Sequence, residues 1–274
     1  MYNHDDLEYN RFNPIMDKFL IGVQENWFAN SHKSVIMKDF VPVADEWFKS
    51  TQLNTVHGWN KFDCVDFTLG CTHFIESTAG AHGWKIQILP DDYSVYTFMG
   101  INSTQPGDLK PGVPLLVSMP QWRYLDVRND WDDILNECEQ KSIDVHLDCA
   151  WLLAGKDFEI DVSHPCIKSI AMSISKYASA WNRCGLRWSR QRRMDSITML
   201  NHYYPGTNIN VASAGYHIIN SIPRDYHWNT YGTAHNEICK KLELQTTKII
   251  HVVKDQEKLA GIGPLINSYY DVSL

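Results

Sequence analysis

Apolar and polar residues alternate in several segments of the chain, and this alternation predicts β-strands. Residues 65–69 alternate and run into Gly70, which predicts a strand that enters a tight turn. Residues 84–88 alternate in the same way, and Pro90 ends that predicted strand. Four more segments predict strands: VYTFM (95–99), VPLLVSM (113–119), IDVHLDCAW (143–151) and CIKSIAMSIS (166–175).

Helical patterns lie between these strands. Residues 131–138 place apolar side chains at i, i+3, i+4 and i+7, with Asn129 or Asp130 positioned to cap the helix. Residues 72–83 predict a short helix, and residues 12–28 form the most helix-like stretch of an otherwise irregular first 60 residues. Strands that alternate with helices predict an α/β sandwich with a largely parallel sheet. Ligands of such sheets bind beyond the carboxyl ends of the strands.

Composition and charge argue against several classes of protein. The chain has 274 residues and a net charge of −7, which disfavours nonspecific binding of polyanions. The sequence contains no run of 18 apolar residues, so it predicts no membrane span. The first ten residues lack the pattern of a secretory signal. Seven scattered cysteines without a CxxC pair indicate neither a zinc ribbon nor a disulfide scaffold, so we expect a cytoplasmic protein.

Polar residues stand where predicted strands end. Gly70, Cys71 and Thr72 lie between a strand and a helix, where free backbone N–H groups and the helix dipole favour a phosphate. A plain helix cap is the alternative interpretation of this turn. Asp148 ends a buried strand, where a carboxylate needs either a cation or several donors from the following loop.

A third polar feature is the segment 173–176, at the exit of the next strand. Burial lowers the pKa of a lysine, so Lys176 can present an unprotonated amine that forms imines with carbonyl compounds. Ser173 and Ser175 lie opposite Ile174, and Arg183 follows within reach of a dianion. An amine, a carboxylate, hydroxyls, an arginine and a helix N-terminus together describe a site for pyridoxal 5′-phosphate (PLP).

The stretch 143–185 resembles the large domain of fold-type I PLP enzymes, in particular the class I/II aminotransferases. The family's Asp-x-Ala-Tyr strand end is similar to residues 148–151, its Ser-x-Ser-Lys to 173–176, and its Arg-x-Gly to 183–185. LGCT (69–72) resembles the phosphate-binding turn, and LPDDYSVY (89–96) resembles the segment whose tyrosine stacks on the cofactor. The resemblance covers about residues 20–220 in order. It implies a three-layer α/β/α sandwich with a mostly parallel seven-stranded sheet, of the PLP-transferase type.

The resemblance also implies a function and a set of site residues. It implies a PLP-dependent enzyme that acts on an amino acid or amine, with an aminotransferase as the first expectation. The alternatives are a lyase-type relative and a protein that binds cofactor or partner without turnover. Lys176 would form the Schiff base and move protons, and Asp148 would keep the pyridine nitrogen protonated. The implied cofactor contacts are Gly70, Cys71, Thr72, Tyr93, Asp148, Trp151, Ser173, Ser175, Lys176 and Arg183.

This chain departs from the family pattern at several positions. Trp151 replaces the usual tyrosine, so no phenol hydroxyl from this position bonds the cofactor. The Asn-Pro-x-Gly motif is absent, and SMPQWRY (118–124) stands in its place with Gln121 as the candidate substitute for the asparagine. Arg187 rivals Arg183 as the phosphate ligand.

The resemblance divides the chain into an N-terminal arm or small subdomain (1–60), a PLP-binding large domain (61–245) and a remnant of the small domain (246–274). The family's small domain supplies the arginine for the substrate α-carboxylate. Because only a remnant of that domain is expected here, we expect ordinary α-amino acids to be poor substrates, unless Arg224 or Arg123 of either subunit replaces that arginine. We also expect a homodimer, because sites of this family are shared between subunits.

Two other interpretations have weaker support. Five arginines between residues 183 and 193, with Trp188 among them, could form a nucleic-acid surface, but the acidic total and the lack of a matching motif disfavour it. Twelve histidines occur without an HExxH motif or a short His pair, so the sequence predicts no metal site.

Overall fold

The computed structural model describes residues 4–9, 12–29, 34–179 and 182–269. A seven-stranded sheet forms its centre, and a four-stranded and a two-stranded sheet lie beside it. The strands are β1 (Glu8–Tyr9), β2 (Thr55–His57), β3 (Cys64–Thr68), β4 (Gln87–Ile88), β5 (Asn102–Ser103), β6 (Leu115–Ser118), β7 (Val145–Asp148), β8 (Glu159–Asp161), β9 (Ile167–Ser173), β10 (Gly185–Ser189), β11 (Gln245–Thr246), β12 (Val252–Asp255) and β13 (Lys258–Gly261).

The central sheet has the order β3-β10-β9-β7-β6-β4-β5. Its neighbouring strands are parallel except where β10 pairs with β3 and β9. The prediction of a mostly parallel, seven-stranded sheet is therefore confirmed.

Helices cover both faces of this sheet. The α-helices of the described residues are α1 (Lys18–Ala29), α2 (Met37–Lys49), α3 (Gly70–Ala81), α4 (Ser94–Phe98), α5 (Trp131–Gln140), α6 (Ser196–His202), α7 (Ile209–Ser221), α8 (Tyr226–Lys241) and α9 (Gly263–Tyr269). No helix in these described ranges is both long and apolar enough to cross a membrane.

Strand β6 shows how the two faces are filled. Leu115 and Val117 belong to a large core that includes the apolar stripe of α5, whereas Leu116, between them, belongs to a second core with Phe74 and Ile75 of α3. Successive strand residues point to opposite faces, so α3 and α5 lie on opposite sides of the sheet. This arrangement confirms the three-layer α/β/α sandwich.

Two of the predicted strands differ in the structure. VYTFM is not a strand but the helix α4, in which the Met99 N–H donates to the Val95 carbonyl over 3.0 Å. Its β-branched and aromatic residues favour a strand, but the helix turns Tyr96 into the core. The strand predicted over 84–88 shortens to Gln87–Ile88, because Trp84 adopts a left-handed backbone with φ of 63°.

Helix α5 begins directly after Asp130, as predicted, but the Asp130 side chain does not cap it. Arg128 instead binds this carboxylate, with 2.6 Å between Nε and Oδ1. The ion pair takes the place of the cap hydrogen bond.

The first 60 residues contain two helices, α1 and α2, and both pack against α7. Residues 8–9 pair with β13, so the N-terminal segment shares a sheet with residues 245–261. The division of the chain into an arm, a large domain and a small-domain remnant stays a prediction.

Three strands of the central sheet end at one edge. Ser118, at the end of β6, pairs in register with Asp148 at the end of β7, and Asp148 pairs with Ala171, two residues before the end of β9. The turns that follow these strands therefore lie side by side, at the edge where ligands of α/β sheets bind.

Candidate active site

A pocket lies beyond these strand ends, and we call it the strand-end pocket. All the implied cofactor contacts except Gly70 line it. Its lining consists of Cys71, Thr72, Ile75, Tyr93, Ser118, Trp122, Asp148, Ala150, Trp151, Ser173, Ser175, Lys176 and Arg183.

Gly70 shapes the side of the pocket where α3 begins. Its φ of 73° is one that residues with a Cβ rarely adopt. A Cβ at this position would lie 3.3 Å from Ser173 Oγ and 3.5 Å from Ser175 Oγ. The glycine thus brings the first turn of α3 against the two hydroxyls.

These hydroxyls and a guanidinium group converge on the N-terminus of α3. Ser173 Oγ lies 2.5 Å from Ser175 Oγ, and Arg183 Nη1 donates to Thr72 Oγ1 over 3.2 Å. Backbone N–H groups in the first turn of a helix have no partner within the helix and carry partial positive charge. This group of donors suits a phosphate.

Arg187 lies elsewhere. It belongs to β10 and is buried, where Nη2 donates to Asp66 over 2.9 Å and Nη1 bonds Asp195. Of the two arginines that the sequence left as alternatives, the structure brings only Arg183 into the strand-end pocket.

Asp148 is almost fully buried at the floor of the pocket. Its Oδ2 accepts from Tyr96 Oη over 2.9 Å, and its Oδ1 accepts from the Ala150 N–H over 3.1 Å. Burial raises the pKa of Asp148, and these hydrogen bonds and the nearby Lys176 offset the effect only in part. No cation of the described residues forms an ion pair with Asp148, so a cationic ligand would stabilise the ionised form of this carboxylate.

Lys176 projects into the same pocket from a 3-10 turn, Ile174–Lys176, that follows β9. This position agrees with the sequence, which predicts Lys176 at the exit of the strand. Ser173 Oγ caps the 3-10 turn by accepting from the Ser175 N–H. His251 holds the turn from behind, since its Nε2 donates to the Lys176 carbonyl over 2.8 Å. Burial and the nearby Arg183 lower the pKa of Lys176, which favours the free amine.

Aromatic rings form the remaining wall. The ring of Trp151 lies 5.5 Å from that of Trp122, and Tyr93 contacts Trp122 edge-on at 6.1 Å. Lys176 Nζ lies 4.7 Å from the centre of the Trp151 ring. Aromatic rings therefore line one side of the pocket, and the open space between its walls is about 50 Å³.

Sequence reasoning missed three polar residues near the floor of the pocket, Tyr96, Asp92 and Ser118. Tyr96 donates to Asp148, and Asp92 accepts from the Ser118 N–H over 3.1 Å and from the Tyr93 N–H over 2.7 Å. Ser118 ends a strand, so the rule that ligands bind at strand ends could have found it. Tyr96 was hidden because its segment was predicted to be a strand.

Three further candidates lie outside the pocket. Gln121 is buried, and its side-chain oxygen accepts from Arg128 over 3.4 Å. Arg224 is buried against Asp225 at 3.1 Å, and Arg123 pairs with Asp91 at 2.7 Å. The role of Gln121 and the replacement of the carboxylate-binding arginine stay predictions.

The raised pKa of Asp92 leads to a testable prediction about the free energy of unfolding. Burial raises it from 3.8 to about 6, so the carboxyl group favours folding below pH 4 and loses that contribution as the pH rises through 6. Between pH 4 and 7.5, we expect the free energy of unfolding of wild type to fall by about 2.4 kcal/mol relative to Asp92→Asn. Urea unfolding at a series of pH values measures this difference, and parallel profiles would contradict the prediction.

Known proteins share the fold that contains this site. No protein-family model matches the chain, and no curated protein is similar in sequence. Solved structures do match. Alanine aminotransferase from Pyrococcus furiosus superposes with a TM-score of 0.61 at 13% identity, over 90% of this chain and 76% of that one.

Two other enzymes are similar to the same extent. Tyrosine aminotransferase from Leishmania infantum gives a TM-score of 0.62 at 11% identity, over 90% of this chain and 82% of that one. A PLP-bound C–S lyase from Staphylococcus hominis gives 0.56 at 11% identity, over 92% and 76%. The chain therefore has the fold of the fold-type I PLP-dependent enzymes, as its sequence motifs predict.

Proposed function

We propose that this chain binds PLP in the strand-end pocket and acts on an amino acid or amine, as an aminotransferase. One observation carries the proposal: a buried carboxylate without a cation, an amine of lowered pKa and a phosphate-type donor set meet in one pocket. These groups belong to Asp148, Lys176 and Arg183. The fold shared with two aminotransferases supports it.

The residues present fit the cofactor at both ends. Its phosphate would bind the turn at Gly70, whose missing Cβ leaves room beside Ser173 and Ser175, with Arg183 at the exposed side. Its protonated ring nitrogen would supply the cation that Asp148 lacks. Its aldehyde would be held by the amine of Lys176. Bound there, PLP would withdraw electron density from the α-carbon of the substrate.

The chain's own residues would then hold and move protons. Asp148 would keep a proton on the ring nitrogen, and Tyr96 and the Ala150 N–H would keep Asp148 oriented. Lys176 would take a proton from one substrate atom and deliver it to another, and its lowered pKa favours the free amine that this role needs. The ring of Trp151 would exclude water from one side of Lys176.

A lyase is the second candidate, since the C–S lyase shares the fold nearly as well as the aminotransferases do. A protein that binds PLP without turnover is the third. The shared fold does not distinguish these alternatives, because function lies in the site residues and their substrate. The homodimer also stays a prediction.

Product analysis distinguishes the three functions. The PLP-loaded protein is incubated with single amino acids and amines, each with and without a 2-oxo acid acceptor, and the products are identified by mass spectrometry. An aminotransferase gives a new amino acid only when the acceptor is present, whereas a lyase releases ammonia or a thiol without it. The Lys176→Ala variant controls for uncatalysed reactions. PLP retained without any product would contradict both enzymatic functions.

A further inference from the structure

A second cavity lies at the opposite edge of the central sheet, and we call it the opposite-edge cavity. It has a volume of about 300 Å³. Asp144 precedes β7, Lys168 and Ser169 lie near the start of β9, and Ser189 ends the antiparallel β10. Lys168 lies five positions before Ser173 of the strand-end pocket along β9, or roughly 17 Å of extended chain. The two sites are therefore at opposite ends of the same strands.

Positive charge predominates around this cavity. Four cationic side chains line it, Lys168, Arg187, Arg190 and Arg193, against the two carboxylates of Asp144 and Asp195. Asp66, just outside, also pairs with Arg187, so about one positive charge remains in excess. Such an excess in a concave site attracts anions.

Arg190 accounts for this excess. Its side chain donates to the carbonyls of Ile167 over 2.7 Å, Ser163 over 2.7 Å and His164 over 3.0 Å. No carboxylate of the described residues forms an ion pair with it. Lys168 and Arg193, by contrast, share Asp144. The carbonyls fix the guanidinium in place but leave its charge uncompensated.

Several buried polar atoms of the cavity wall also lack partners. Ser189 Oγ, Arg187 Nε and His146 Nε2 have no hydrogen-bond partner among the described residues, and all three residues are more than nine-tenths buried. His146 Nδ1 already contacts Ser169 Oγ at 2.7 Å. Burial and the neighbouring cations hold the pKa of His146 well below its usual value, so the ring is neutral at pH 7. Unsatisfied buried donors are costly, and acceptor oxygens would remove that cost for Ser189 Oγ and Arg187 Nε.

We infer that the opposite-edge cavity binds a small organic phosphate. Arginine, lysine and hydroxyl donors approach from several directions, which suits a tetrahedral group with three acceptor oxygens better than a planar carboxylate. The volume is that of a small-ligand site. The partly exposed Lys168 and Arg193 form the entrance, and the buried Ser189 and Arg187 form the floor.

Isothermal titration calorimetry tests this inference on the protein saturated with PLP and then dialysed. The probes are inorganic phosphate, glycerol 3-phosphate and succinate. We expect glycerol 3-phosphate to bind, and Lys168→Gln to weaken its binding about tenfold, because one charge-assisted contact is lost. Lys61→Gln, which removes an exposed lysine outside the cavity, is the matched control and should leave the affinity unchanged. Higher salt should weaken binding.

A further variant separates this site from the phosphate donors of the strand-end pocket. Arg183→Gln should leave glycerol 3-phosphate binding intact, even if the chain binds no PLP. No binding of glycerol 3-phosphate, binding abolished by Arg183→Gln but not by Lys168→Gln, or binding of succinate alone would each overturn the inference. Binding of inorganic phosphate alone would mean that the cavity holds an adventitious ion only, and this result would also overturn the inference.

Discussion

Replacement of Asp148 by asparagine is expected to abolish most turnover while the protein stays folded. The new amide side chain would be isosteric with the carboxylate and could still accept from Tyr96, but it would carry no charge to hold a proton on the ring nitrogen of PLP. Breaking a buried ion pair costs about 3–5 kcal/mol, which corresponds to a loss of roughly 10²–10³-fold or more. Steady-state rates with PLP at saturation measure this loss.

The same variant has an opposite effect on stability. Because burial raises the pKa of Asp148, its ionised form destabilises the cofactor-free protein at pH 7. Asp148→Asn should therefore unfold at the same or higher urea concentration without PLP. The exposed Asp63→Asn is the matched control for both measurements. Turnover equal to that of wild type would show that Asp148 does not act on the cofactor.

Replacement of Lys176 by alanine is expected to have the largest effect on activity. It removes both the group that would hold PLP covalently and the base that would move protons, and lost proton transfer alone costs about 10²–10⁴-fold. A small added amine such as methylamine should restore part of the rate, since it can occupy the space that the lysine leaves. Lys61→Ala should keep full activity. Activity of Lys176→Ala close to that of wild type would contradict this role.

The parts of the fold that sequence patterns predicted best are those with buried, regular apolar spacing. Strands β6, β7 and β9 and helix α5 were found because their apolar residues follow one period over several positions. The VYTFM segment failed because local preference and tertiary contact disagree there. Its aromatic and β-branched residues favour a strand, yet the segment forms a helical turn from which Tyr96 donates to the buried Asp148.

The candidate site shows the same division. Residues at strand ends, such as Asp148 and Ser173, were predictable from one general rule, and Lys176 from its neighbours. The choice between Arg183 and Arg187 needed coordinates, because only the structure shows that Asp66 and Asp195 hold Arg187 in β10. Asp92 was equally hidden, since no sequence pattern reveals its partners, which are the Tyr93 and Ser118 N–H groups and the Ser118 hydroxyl.

The attachment of the cofactor tests the central proposal most directly. The purified protein is saturated with PLP, reduced with borohydride, digested, and analysed by mass spectrometry for the modified lysine. We predict one stoichiometric label on Lys176, which is lost in Lys176→Ala and retained in Lys61→Ala. A label on Lys168, at the other end of β9, or no retained cofactor at all would contradict the proposal.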